Sequence, residues 1–248
     1  MSENIPVYAA NEQFRTRAEE IAARLGSFSS AGTPAGEHLF LDENGLWFVN
    51  AEGLRLRGDF EKLAPRILPR SIGGELPVRA CRGRGTSEGL KLVDATAGLG
   101  EDSFLLAAAG YDVTLIEYNP VVCELLRDAL ERGAGSPGVG YVVSRMKLIC
   151  GNSLDILPSL DYAPDVIYLD PMFPERTKSS AVKKKFQLIH LVEKPCEDGE
   201  LLLSAAMSAR PRKIVVKRPA KGPYLGGIKP SYSVSGNSVR YDCIVPSR

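Results

Sequence analysis

The 248-residue sequence contains no apolar run approaching the roughly 18 to 20 residues that a membrane-spanning helix requires. Its polar start, Ser2-Glu3-Asn4, lacks the charged-then-apolar order of a secretory signal, so neither a membrane protein nor an exported one is expected. Cysteine is sparse. Cys81, Cys123, Cys150, Cys196 and Cys243 stand far apart without a Cys-x-x-Cys pair, which argues against a disulfide framework and against a zinc knuckle. A reducing, cytoplasmic setting fits that usage. Histidine is scarcer still: His38 and His190 are expected to be structural, and no metal site is predicted. Internal repeats and low-complexity tracts are missing, and net charge is nearly so, with 31 basic residues against 30 acidic.

What is present is the composition of an ordinary globular protein, 44% apolar and 25% charged, enough for one large domain or two smaller ones. The charge is unevenly spread. Residues 1–170 carry 16 basic and 24 acidic side chains, whereas residues 171–248 carry 15 and 6. A second basic block, residues 55–84, holds eight basic residues against three acidic. Meeting on one face, these stretches would attract a polyanion; the plainer alternative is solvated surface.

Residues 1–68 read as a small α+β unit. A helical pattern runs from Glu12 to Leu25 and stops at Gly26, and strands at 38–41 and 46–50 flank the hairpin signal Asp42-Glu43-Asn44-Gly45. Residues 69–90, rich in glycine, proline and arginine, read as a linker or mobile loop. From residue 91 to the end, short apolar strands alternate with helical segments, the pattern of a doubly wound, mostly parallel α/β sheet. Two strands around Ser235-Gly236-Asn237 suggest an antiparallel hairpin closing it.

Chemistry concentrates at the predicted strand ends. Leu92-Val93-Asp94 runs into Ala95-Thr96-Ala97-Gly98-Leu99-Gly100 and then a helix beginning Glu101-Asp102, so Gly98 and Gly100 let backbone approach a ligand. Ser103 occupies the place of a third glycine, and the acidic pair would repel a pyrophosphate. Both features weigh against NAD or ATP and leave room for a cationic ligand with an amino acid moiety. Glu117 ends the next strand, 19 residues beyond Gly98, where a carboxylate can hold ribose hydroxyls. Asn152-Ser153 after the third strand would border an adenine, or else cap a turn. After the fourth strand, Asp170-Pro171-Met172-Phe173-Pro174 offers a carboxylate, a free carbonyl and an aromatic ring in a stiff turn, which suits an exocyclic amine on a planar base.

Asp94 to Gly100, Glu117, Asn119-Pro120-Val121-Val122, Leu169 to Pro174, Lys178-Ser179-Ser180-Ala181-Val182-Lys183-Lys184 and Val215-Val216-Lys217-Arg218-Pro219 together resemble the ribosomal RNA small subunit methyltransferase J family. The resemblance covers roughly residues 90 to 220. It implies a Rossmann-like class I methyltransferase fold, S-adenosylmethionine as cofactor, and methylation of the N2 amine of a guanine in 16S rRNA, free or within the small subunit. It further implies that Glu101, Asp102, Glu117, Tyr118, Asn152, Ser153 and Asp170 contact the cofactor. Asp170 and Pro171 would accept the amine's hydrogens and Phe173 would stack on the base. Lys178, Lys183, Lys184 and Lys185, with Lys217, Arg218 and Lys221, are expected to grip RNA phosphates. The rival readings are a methyltransferase for another planar amine, adenine N6 or a protein glutamine, and a non-catalytic RNA-binding module.

Overall fold

The computed structural model describes residues 5–83, 85–171 and 199–246. The first unit is a five-stranded sheet ordered β2-β1-β3-β4-β5. Its elements are β1 (Val7–Ala9), α1 (Arg15–Arg24), β2 (Ser29–Ser30), β3 (His38–Asp42), β4 (Gly45–Val49) and β5 (Arg55–Leu56). Alternation decides the faces: Val7, Leu39, Phe48 and Leu56 lie in register and are buried, while Tyr8, Phe40 and Trp47 line the opposite side. The expected hairpin forms, and Gly45 takes a φ of 114° there; a Cβ on it would lie 2.6 Å from Asp128 Oδ2.

Residues 69–90 correct the expectation of a linker. They contain α2 (Pro69–Ile72) and α3 (Leu76–Cys81), and Val78, Ala80 and Cys81 of α3 are buried in the main core. The glycines flank these helices rather than dissolve them, and proline sits at the start of each, where its missing N–H costs nothing. A buried lysine on a distant strand secures the end of α3. Lys213 Nζ donates to the carbonyls of Ala80 (3.1 Å), Cys81 (3.1 Å) and Arg82 (2.8 Å). Lys213→Met would strand those acceptors, so it is expected to cost about 2–3 kcal/mol. The check is a lower urea midpoint with an unchanged slope.

The second sheet is built from β6 (Lys91–Asp94), β7 (Asp112–Glu117), β8 (Met146–Cys150), β9 (Val166–Leu169), β10 (Lys213–Pro219), β11 (Tyr232–Ser235) and β12 (Val239–Ile244). Their order is β11-β12-β10-β9-β6-β7-β8. Strands β6 to β10 pair in parallel, and β12 pairs antiparallel to both β10 and β11, the expected closing hairpin. Between the strands lie α4 (Glu101–Ala108), α5 (Pro120–Ala134), α6 (Gly140–Val143), α7 (Ser153–Ile156) and α8 (Gly199–Ser208). One apolar cluster joins Phe104, Leu105, Leu126 and Val143 to one face of the sheet; another joins Leu202, Leu203 and Ala206 to the other.

The two units share contacts through α5. Val121, Val122 and Leu125 cluster with Val7, Ile21 and Phe48 of the first unit. Buried Asp128 accepts from Leu46 N (3.0 Å), Arg17 Nη2 (2.9 Å) and Arg132 Nε (2.7 Å), so the hairpin and α1 converge on one satisfied carboxylate. Cys123 and Cys150 form a disulfide from α5 to the end of β8, contrary to the sequence expectation; a sequence separation of 27 is no local spacing that would announce it.

Candidate active site

In the second sheet the chain winds one way from β6 through β7 to β8 and the other way through β9 and β10, so β6 and β9 meet at a topological switch point, where open α/β sheets bind ligands. Asp94 at the end of β6 is buried and accepts from Thr96 N (3.1 Å) and Ser103 Oγ (2.5 Å). The loop beyond it turns through Gly98 (φ 53°) and Gly100 (φ 74°), a handedness that favours glycine. The two differ in surroundings. A Cβ at Gly100 would meet Leu126, Leu115 and Phe60, while one at Gly98 would meet nothing within 4 Å, so Gly98 borders open space.

Glu117, at the end of β7, is buried and takes backbone N–H bonds from Gly98 and Asn119, both 2.8 Å. Burial, partly offset by these donors, pushes its carboxyl above the ordinary range. Tyr118 beside it is exposed. Asn152 caps α7 by accepting from Leu154 N at 3.0 Å, and Ser153 Oγ donates to Ala95 O at 2.6 Å. The hydroxyl expected at the cofactor is therefore committed to holding the β6 loop.

At the end of β9, the backbone N of Asp170 donates to Thr96 Oγ1 (2.6 Å), which ties the fourth strand end to the glycine loop. Lys217 Nζ stands 2.8 Å from Asp170 Oδ2 and 2.8 Å from Asp102 Oδ2. Asp102 also accepts from the hydroxyl of buried Tyr168 at 2.6 Å. Burial by itself would raise Asp102, but the Lys217 ammonium, the Tyr168 hydroxyl and the charge of Arg66 hold it below the usual carboxylate range. Asp94 goes the other way: burial first, with repulsion from Asp102 and Asp170, pushes it up to about 7 against the hydrogen bonds of Ser103 and Thr96.

Two expected phosphate contacts are corrected. Lys217 lies inward between two carboxylates, and Arg218 is 2% exposed, donating through Nε to Pro223 O at 2.7 Å. A guanidinium so enclosed reaches no backbone phosphate. Lys221 is exposed, as a phosphate contact requires. Phe173, Lys178, Lys183, Lys184 and Lys185 lie outside the described residues. Thr96, Tyr168 and the inward role of Lys217 escaped the sequence reading. The signal for Lys217 was register: Val216 pairs with Leu169, so the next residue of β10 lies beside Asp170.

Asp102 and Asp170 share one ammonium and Asp94 lies within electrostatic reach of both carboxylates, an excess of negative charge that fits a cationic ligand, and the open side of Gly98 leaves backbone accessible to it. No group of three metal-ligating side chains occurs among the described residues. Sheet order, glycine loop, Glu117 and the Asp170 strand end define an S-adenosylmethionine-dependent methyltransferase of the Rossmann-like class. A SAM-dependent methyltransferase family model matches residues 60–246. The ribosomal RNA small subunit methyltransferase J of Thioalkalivibrio sulfidiphilus is 41% identical over 97% of this chain and 97% of its own length. That of Pseudomonas paraeruginosa is 43% identical over 95% and 92%. A SAM-dependent methyltransferase structure from Neisseria gonorrhoeae superposes with a TM-score of 0.76 at 29% identity, over 97% of this chain and 96% of that one. The chain belongs to the ribosomal RNA small subunit methyltransferase J family.

Proposed function

We propose that this enzyme methylates the exocyclic N2 of a guanine in small-subunit ribosomal RNA, in the cytoplasm. The observation that carries the reading is Asp170, a half-exposed carboxylate at the switch point whose backbone is tied to the glycine loop through Thr96. S-adenosylmethionine supplies an electrophilic methyl on a sulfonium. Glu117 would hold the ribose hydroxyls, Tyr118 and Asn152 would border the adenine, and the backbone at Gly98 and Gly100 would receive the amino acid moiety, with Asp94, Glu101 and Asp102 supplying negative charge.

The guanine amine is a poor nucleophile while its lone pair is delocalised into the ring. Asp170 and the Pro171 carbonyl accept its hydrogens, turn the lone pair out of conjugation and stabilise the positive charge that develops on nitrogen. The N–H proton then leaves to water. Phe173 stacks on the base, which must be unpaired or flipped out to be reached. Lys178, Lys183, Lys184, Lys185 and Lys221 bind the flanking phosphates.

The acidic pocket has a measurable consequence. Asp94 titrates near 7, neutral below and ionised above, and the sulfonium favours the ionised form. S-adenosylmethionine affinity is therefore expected to rise between pH 6 and pH 8, on the order of tenfold per ionisation at most. S-adenosylhomocysteine, lacking the sulfonium charge, should gain less; equal gains by calorimetry would remove Asp94 from the cofactor's field. The function itself is tested by incubating labelled cofactor with small-subunit rRNA, small subunits and adenine-rich DNA. Label in the RNA and none in the DNA supports the reading, and label in DNA alone overturns it.

A further inference from the structure

We propose that Lys217 is a positioning residue for methyl transfer, its ammonium fixing both the orientation and the charge of the Asp170 carboxylate. The inference rests on the reading of Asp170 as the acceptor of the amine's hydrogens. Lys217 reaches the site from β10 and is anchored on the inner side by Asp102, itself fixed by Tyr168. On the outer side it meets Oδ2 of Asp170, whose side chain is 38% exposed. The lysine thus joins the first turn of α4, next to the glycine loop, to the end of β9, where the reacting amine is received.

The charges make the arrangement more than a brace. Among the described residues, the titratable and charged groups facing Asp170 are Asp94 on β6, Asp102 on α4, Tyr168 on β9, Lys217 and Arg218 on β10 and Tyr241 on β12. Two carboxylates would repel Asp170, and an ammonium in contact favours the ionised form. Lys217 stays protonated itself: burial opposes its charge, but Asp170 and Asp102 raise its pKa well above the ordinary value. Because Asp102 and Asp170 share one ammonium, the trio retains one net negative charge, available to an amine that becomes positive as the new bond forms. Apolar packing would stabilise the fold at least as well as a largely buried ionic trio. The effect on Asp170 gives the trio its reason.

The test compares wild type with Lys217→Gln, which keeps a donor for the carboxylates but lacks the charge, and with Lys217→Arg, which keeps the charge. Folding is read from S-adenosylhomocysteine binding stoichiometry. In the glutamine variant kcat is expected to be about tenfold lower at pH 6 than at pH 8, while wild type and Lys217→Arg change less than about threefold. A glutamine variant that binds S-adenosylhomocysteine and keeps the wild-type pH profile overturns the proposal. One that fails to bind, where Lys217→Arg binds, assigns Lys217 to maintaining the fold and overturns it equally. Wild-type turnover on rRNA is the control, since its absence counts against the proposed function, whereas identical profiles with turnover count against this inference alone.

Discussion

Replacing Asp170 with alanine is expected to lower kcat about 100- to 1,000-fold while changing the S-adenosylmethionine Kd by less than about threefold. The separation follows from what the side chain touches. Its backbone N–H, not its carboxylate, holds Thr96 and the glycine loop, so the strand end survives truncation. Lys217 keeps Asp102 as a partner, and no buried charge is stranded. What disappears is the acceptor that localises the amine lone pair and faces its developing charge, an interaction made chiefly in the transition state. Single-turnover methylation at saturating cofactor, beside calorimetric cofactor binding, checks both halves. A variant that keeps kcat would remove Asp170 from the chemistry.

Glu117→Ala is expected to do the reverse, weakening cofactor binding about 10- to 100-fold with kcat at saturating cofactor within about threefold of wild type. Two effects add. The ribose hydroxyls lose a charged acceptor, and the Gly98 and Asn119 N–H groups, each 2.8 Å from the carboxylate, lose theirs. Glu117→Gln should fall in between, because its carbonyl oxygen still accepts from one of them. Binding by calorimetry and KM for the cofactor are the readouts; an unchanged Kd would move the ribose site elsewhere.

The parallel strands were legible because each is a short apolar run that ends on a polar residue with chemistry, Asp94, Glu117 and Asp170 among them, and because both hairpins carry glycine at the turn. Other features were hidden by the kind of signal they send. Helix α3 lies in a glycine-rich stretch, and the lysine that satisfies the carbonyls at its end, Lys213, is more than 130 residues away. Lys217 and Arg218 look like surface cations when only charge is counted. Lys217 is drawn inward by carboxylates at the start of α4 and the end of β9, and Arg218 is enclosed on the other side of the strand with Pro223 O as acceptor, partners that local sequence does not bring together. The Cys123–Cys150 pairing likewise exists only once α5 packs beside β8.

The most direct test of the central claim is nucleoside mass spectrometry of small-subunit rRNA methylated in vitro by the wild-type protein, with Asp170→Ala as the control. The expected product is N2-methylguanosine at one position, dependent on S-adenosylmethionine and lost with Asp170→Ala. N6-methyladenosine, or methylguanosine that persists in the variant, would contradict it.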